Sequence, residues 1–302
     1  MKQNNVITIF GANGFLGAEI TRQLAHAGFT LKLAHKHPRA CDFLKTSGQV
    51  GQVVPVQCDF SMKSITDVVA GSIAVVNCIG ILAEGGKRTF MSTHRDLPEN
   101  IAKACAKQDV GQFVHISALG IDKSKSKYAA SKLAGEKAIL KAFDKATILR
   151  PSIVFGPKDS FFNMFAGMAR VLPFLPLIGG GKTMFQPVYV GDVAQSVVNA
   201  IKDKHINTYE LGGPDVASFK GLLEKMKQYT GQSVALLPLP FTVASFQAFF
   251  MQYLPGAPLT PDQVTSLKSD NIVSDNAMTL SDLGVKQTSM DVILPTYLDR
   301  FK

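Results

Sequence analysis

Nowhere does the 302-residue chain string together the roughly 18 consecutive apolar residues that a membrane-spanning helix needs. The nearest approaches, VLPFLPLI and FTVASFQAFF, are short and broken by proline or polar residues. Cysteine is scarce. Cys41, Cys58, Cys78 and Cys105 are scattered, with no CxxC pair and no histidine at metal-ligand spacing. This excludes a zinc ribbon or a disulfide scaffold and predicts reduced, mostly buried thiols, a cytoplasmic setting and no metal. The opening MKQNNVITIF runs almost directly into a strand-like stretch, without the pattern of a signal or transit segment. Acids are in deficit, 23 against 32 lysines and arginines, for a formal charge of +9. The bases are dispersed and accompany no recognition-helix or zinc-finger pattern, so nucleic acid is not an expected partner. A basic face resting on the inner face of a membrane, or on a membrane-bound complex, is compatible with the charge.

What the chain has is alternation. VITIF (6–10), LKLA (31–34), VVPVQ (53–57), AVVNCI (74–79), QFVHIS (112–117) and ATILR (146–150) read as buried strands, and helical stretches lie between them near 61–70, 93–108 and 128–143. Strand–helix alternation predicts an α/β fold with a parallel sheet covered on both faces. After Pro151 the pattern loosens into proline- and glycine-rich loops, a short VYV strand and helices near 192–201 and 218–229. The expected architecture is a Rossmann-type, doubly wound core over residues 1–160. A small C-terminal α/β lobe over 161–302 returns segments to that core, making one structural unit. The phenylalanine-rich FTVASFQAFFMQYL (241–254) reads either as a core helix of this lobe or as a surface for quinone, lipid or a partner.

GANGFLG follows the first strand and opens the first helix, which is the setting a dinucleotide-binding loop requires. Gly11 permits the tight turn, Gly14 lets backbone approach a pyrophosphate, and Gly17 lets the helix pack close to the sheet. Asn13, Phe15 and Leu16 fill the same turn, and the helix N-terminus offers free N–H groups to phosphate. A reader of the ribose 2′-hydroxyl would be an acid at the end of the second strand. Ala34, His35 and Lys36 stand there instead, and the cationic run His35-Lys36-His37-Pro38-Arg39 suits a 2′-phosphate. NADP(H) is therefore favoured over NAD(H), which stays open.

With GANGFLG, CDF (58–60), VVNCIG (75–80), HIS (115–117), YAASK (128–132) and RPSIVFGP (150–157), the sequence resembles the extended or atypical short-chain dehydrogenase/reductase superfamily. The likeness narrows to the nucleotide-binding accessory subunits of respiratory complex I (alpha subcomplex subunit nine) and their bacterial relatives, through RPSIVFGPKDSFFN, PLIGGGKTMFQPVYVGDVA and LPGAPLTPDQVTSLKSDN (254–271). The resemblance implies that Asp59 and Phe60 sit by the adenine and that Asn77, Cys78, Ile79 and Gly80 floor the cofactor groove. It implies that Tyr128 and Lys132 hold the nicotinamide ribose, with Pro151, Ser152 and Ile153 flanking the ring. Asp59 reads equally as a helix-capping acid before Ser61.

Tyr128 and Lys132 are four apart on a helix and so share a face. A neighbouring ammonium is expected to lower the phenol's pKa and make it a usable acid/base at neutral pH. The superfamily's third catalytic group is a serine or threonine that donates to the substrate oxygen. Here Ser117 takes the first hydroxyl position and Ala118 the second, which is ordinarily the catalytic one. Losing such a donor costs roughly two to three orders of magnitude in rate. Ser117 is the substitute candidate, with Ser124 and Ser126 as loop alternatives. The short gap between Ser117 and Tyr128 disfavours a large nucleotide-sugar site. His94 and His205 are expected at the surface. The sequence thus points to an NADP(H)-binding accessory or assembly protein connected with complex I or quinone biosynthesis, weak or silent in turnover. The rival readings are a working oxidoreductase or epimerase/dehydratase-type enzyme on a small carbonyl or quinone-like substrate, and a regulator that reads the NADPH/NADP⁺ ratio.

Overall fold

Alternating runs of β-branched residues and amphipathic stretches leave the chain one economical arrangement, strands side by side and helices above and below. The computed structural model describes residues 5–86, 88–253 and 259–302. The first four residues, Lys87 and the opening LPGAP of the 254–271 motif lie outside the described residues. Six apolar runs become β1 (Val6–Phe10), β2 (Thr30–His35), β3 (Val53–Gln57), β4 (Ala74–Asn77), β5 (Gln112–Ile116) and β6 (Ala146–Pro151). Across the sheet they lie in the order β3-β2-β1-β4-β5-β6, extended beyond β6 by Thr208–Leu211. Every neighbouring pair is parallel. The order reverses between β1 and β4, and a crevice opens there at the carboxyl ends of the strands.

The helices of this part are α1 (Phe15–His26), α2 (Met62–Val69), α3 (Leu97–Lys107), α4 (Lys127–Ala142), α5 (Phe162–Val171) and α6 (Val190–Lys202). Ile9, Val76, Val114 and Leu149 face α1 and α6. Phe10, Val75, Phe113 and Ile148 face α2, α3 and α4. Two expected boundaries shift for local reasons. The fourth strand stops at Asn77 because the Asn77 side chain accepts the Ile79 N–H and turns the chain. The helix expected from 93 begins earlier, at Phe90, and passes through a π-helical turn, Ser92–Asp96. Pro98 lacks the N–H that would close an α-helical bond on the His94 carbonyl, so the turn widens.

A second core gathers Phe155, Phe162, Phe165, Leu222, Leu223, Met226, Leu294 and Leu298. It is built on α5, α7 (Phe219–Thr230) and a later helix, Met290–Leu298, beside a parallel pair of strands, Phe174–Ile178 and Ala235–Leu239. Between these come α8 (Phe241–Met251) and α9 (Pro261–Ser266). The core-helix expectation for 241–254 fails here. In α8 only Ala244 and Ala248 are buried, while Phe246, Phe249, Phe250 and the following Tyr253 are 67%, 52%, 57% and 74% exposed. Two alanines four apart make a seam narrow enough to seat on Ile178 and Val264. The larger side chains are left outside.

Helix α4 is tied to the sheet by charge. Arg150 on β6 makes two hydrogen bonds to buried Glu136 of α4, at 3.0 and 2.6 Å, and lies 3.7 Å from Glu210 on the edge strand Thr208–Leu211. Removing the arginine leaves two carboxylates buried without it. Arg150→Met is expected to cost on the order of 3–5 kcal/mol in urea unfolding, much of it recovered when Glu136→Leu and Glu210→Leu are added. An Arg150→Met protein of wild-type stability would contradict this account.

Candidate functional site

The glycine turn between β1 and α1 is shaped by two close approaches. Gly11 has φ +81°, and a Cβ added to it would stand 3.0 Å from the backbone of Cys78 and Ile79. A Cβ on Gly17 would lie 2.1 Å from the Gly11 carbonyl oxygen, so only glycine lets α1 dock there. Gly14 differs. Its added Cβ would meet just the Gly11 oxygen at 3.4 Å, and Asn13 and Gly14 are exposed. The space over Gly14 faces outward, and no side chain caps the α1 N-terminus. That cradle fits a pyrophosphate. The Phe15 ring lies where a Cβ on Gly156 would come within 3.4 Å of it, and Leu16 packs on the core, so these two offer the turn their backbone rather than their side chains.

β2 runs beside β1 with Ala34 opposite Phe10, which brings His35 and Lys36 out next to the turn. The His37 N–H donates to His35 Nδ1 at 2.9 Å and bends the chain. Lys36 and Arg39 are exposed, and Lys36 Nζ stands 5.6 Å over the ring of Phe60. Phe60 holds φ +66°, a conformation rare for an aromatic residue. Asp59 fixes it by accepting the Ser61 N–H at 2.8 Å, and the Ser61 hydroxyl, with this N–H, holds its carboxyl below the usual range. The cap of α2 is Ser61, whose hydroxyl accepts the Ser64 N–H at 3.3 Å, so Asp59 shapes the turn before the helix rather than capping it, and its exposed carboxylate lies beside the Lys36–Phe60 platform.

At the other end of the crevice, Lys132 is buried and donates to the Ile116 carbonyl at 3.0 Å. A Cβ on Gly80 would stand 3.6 Å from its Nζ and 3.8 Å from His94 Nε2. His94 is fully buried, contrary to the surface position expected for it; His205 is partly exposed. Ser131 Oγ donates to the Tyr128 carbonyl, so it accepts from His94 Nδ1–H at 2.9 Å, and Nε2 is left to accept the Ile81 N–H at 3.1 Å. Burial and the Lys132 charge hold His94 down to about 3, neutral in this tautomer. Its ring stacks on Phe90 and meets Tyr128 edge-on at 5.2 Å, with Phe90 also edge-on to Tyr128 at 5.9 Å. Sequence reasoning missed both His94 and Phe90. The available signal was Pro98, four residues after the histidine.

The expected effect of Lys132 on the phenol is absent. Tyr128 is pushed up to about 12 by burial, while burial pushes Lys132 down to about 8. The ammonium is turned to the Ile116 carbonyl and the phenol sits among rings, so desolvation prevails. Ser117 Oγ is buried without a hydrogen-bond partner among the described residues, as is His115 Nε2. Other groove candidates are spent on structure. Asn77 is engaged with His115 at 3.1 Å and with Ile79. The Ser152 hydroxyl donates to Asn271 Oδ1 at 2.6 Å, which turns it from the groove. Pro151 is buried and its carbonyl accepts the Leu119 N–H, while Ile153 packs into the second core. The Cys78 thiol is raised to about 12 by burial.

A dinucleotide turn at the sheet's switch point, with a tyrosine–lysine pair across the crevice, defines a Rossmann-type nucleotide-binding protein of the dehydrogenase class. Residues 7–212 match the NAD dependent epimerase/dehydratase family, and the chain belongs to that family. It is similar to NADH dehydrogenase (ubiquinone) 1 alpha subcomplex subunit 9, mitochondrial, of Arabidopsis thaliana, at 37% identity over 92% of this chain and 73% of the relative. The subunit of the same name in Mus musculus is 34% identical over 95% of this chain and 78% of its own length. Among solved structures the fold matches DesIV, the dTDP-glucose 4,6-dehydratase of Streptomyces venezuelae with NAD and TYD bound. That match has a TM-score of 0.74 at 15% identity and covers 98% of this chain and 96% of that one.

The Lys132 shift has a thermodynamic consequence. Between about 8 and the ordinary 10.5 the unfolded chain binds a proton that the folded chain does not, so this group makes stability rise with pH across that window. Below it the burial cost is present in full, on the order of 3 kcal/mol. In urea unfolding of the cofactor-free protein, the stability of Lys132→Met relative to wild type should fall by about 3 kcal/mol between pH 7 and pH 10.5. A difference that stays constant with pH would show the ammonium to be solvated.

Proposed function

We propose that this chain holds NADP(H) as an accessory or assembly protein linked to respiratory complex I or to quinone metabolism, with little or no turnover. The observation that carries the reading is an intact dinucleotide cradle beside a phenol flanked edge-on by Phe90 and His94, with Ala118 where a donor hydroxyl is wanted. In this reading the Gly11–Gly17 turn takes the pyrophosphate, and Lys36 and Arg39 take the 2′-phosphate by charge-assisted bonds. Asp59 and Phe60 lie by the adenine. Lys132 and Tyr128 take the nicotinamide ribose, with the backbone of Pro151, Ser152 and Ile153 beside the ring. The portion after residue 160 forms the lobe on the substrate side. A bound nicotinamide would supply hydride transfer, and the residues around it supply position and the exclusion of water. The relatives' names are those of complex I subunits, which supports the assignment of partner.

A second reading, an active oxidoreductase on a small carbonyl or quinone-like substrate, is favoured by the unpartnered Ser117 hydroxyl. Rapid NADPH oxidation by such a substrate, lost on Tyr128→Phe, would establish it in place of the first. The cofactor assignment is tested by calorimetry. NADPH should bind at least several-fold more tightly than NADH, and Lys36→Ala/Arg39→Ala should erase the difference. Equal affinities in the wild type would sink the assignment.

The same reading places the protein on the inner face of a membrane through α8. No charged residue occurs between Lys227 and Asp262, and the exposed side of the helix is dominated by Val243, Phe246, Phe249 and Phe250, with Thr242 and Gln247 among them. Helix α8 is too short to cross a bilayer, and no described helix is long and apolar enough to do so. Its exposed aromatic patch suits a contact with an apolar surface such as a membrane interface. Exposed Lys268 sits over the Phe241 ring at 5.7 Å, and exposed Lys182 and Lys220 flank the Gly179–Gly181 turn on which Phe241 packs. Cations at the foot of an aromatic face fit an anionic lipid surface. The protein should float with vesicles containing anionic phospholipid, be partly released by high salt, and lose binding on Phe246→Ser/Phe250→Ser. Failure to bind such vesicles at low salt would count against it.

A further inference from the structure

Helix α4 carries Tyr128 and Lys132, and its first four backbone N–H groups are all satisfied. Ala129 and Ala130 donate to Ser126, to the hydroxyl at 3.1 Å and to the carbonyl at 3.0 Å, which is ordinary capping. The first two are not met locally. Lys127 N–H donates to Asp262 Oδ1 at 2.6 Å and Tyr128 N–H to Asp262 Oδ2 at 3.0 Å, from a residue in α9 far along the chain. One carboxylate therefore grips the backbone of Tyr128 itself, at the positive end of the helix dipole.

Asp262 is fixed in its turn. Thr260 and Gln263 form a reciprocal cap at the start of α9, which sets the direction of the residue between them. Further on, the Thr183 hydroxyl donates to the Leu267 carbonyl at 2.5 Å, and Asp270 accepts the Met184 N–H at 2.8 Å. The segment ends at Asn271, which donates to the Leu119 carbonyl at 2.7 Å and accepts from Ser152. Residues 260–271 thus make a strap from the N-terminus of α4 to the loops that follow β5 and β6.

We propose that Asp262 is a positioning residue for Tyr128, and that the strap sets where the phenol stands in the cofactor site. The proposal rests on the reading of Tyr128 as part of that site. A local cap such as Ser126 would hold α4 as a helix wherever the helix went. A carboxylate from α9 fixes the helix end relative to another part of the fold, and the phenol with it.

The test uses the full chain labelled with 3-fluorotyrosine, its six tyrosines resolved by fluorine NMR and the Tyr128 line assigned with Tyr128→Phe. In the wild type, NADPH should shift the Tyr128 line. Asp262→Ala should displace that line in the free protein, leave those of the remote tyrosines in place, and weaken NADPH binding about tenfold. Asp262→Asn, which keeps one acceptor but no charge, should lie between, at about threefold. If Asp262→Ala does not fold, Asp262→Asn carries the test alone. A wild-type Tyr128 line that ignores NADPH would overturn the reading of the site. A line that responds in the wild type, with Asp262 variants showing wild-type position and affinity, would overturn the positioning role.

Discussion

An ammonium group taken out of water at the carboxyl edge of the sheet governs the architecture around it. Lys132 is buried, and its neighbours are arranged so that the charge can be carried there. The Ile116 carbonyl accepts from it, and Glu136 favours its charged form from one turn along α4. Arg150 in turn holds Glu136, so the charge reaches β6 through a pair of buried ions. The groups that would compete are kept neutral. His94 and His115 are held well below neutrality by burial and by Lys132, and the Cys78 thiol stays protonated. Close by in sequence to the Ile116 carbonyl that takes this ammonium, the Ser117 hydroxyl is buried without a partner among the described residues.

Binding and proton transfer make different physical demands on a site of this kind. Cofactor retention needs a glycine turn, a cationic patch and donors toward the ribose, all of which are backbone or charge features. Proton transfer needs a phenol whose ionisation is within reach. Phe90 and His94 stand edge-on to partly buried Tyr128, and its burial favours the protonated form.

Much of this was legible along the chain. The six strands of the core came within one or two residues, because buried parallel strands are continuous apolar runs and need no partner to be seen. The glycine turn was legible for a similar reason, since Gly11 and Gly17 meet within seven residues and the required conformations are local. The basic platform after β2 was visible as an absence of acid. Expectations failed where the deciding contact lay elsewhere. FTVASFQAFFMQYL has one composition whether it lies in a core or on a surface, and its exposure is set by how little of it the Ile178–Val264 seat can cover.

The sequence by itself therefore determined the family, the sheet and the residue types at the crevice, because periodicity and turn chemistry act over a few residues. Tertiary structure alone decided which of those groups are free. It turned Ser152 toward Asn271, spent Asn77 on His115, and brought His94 under Tyr128 through a widened turn packed against Gly135 of α4. It also set Asp262 on the first N–H groups of α4. These are contacts between residues tens to more than a hundred positions apart. A hydrogen-bonding group carries no mark in the sequence of which partner will claim it, since that depends on where packing brings the two backbones.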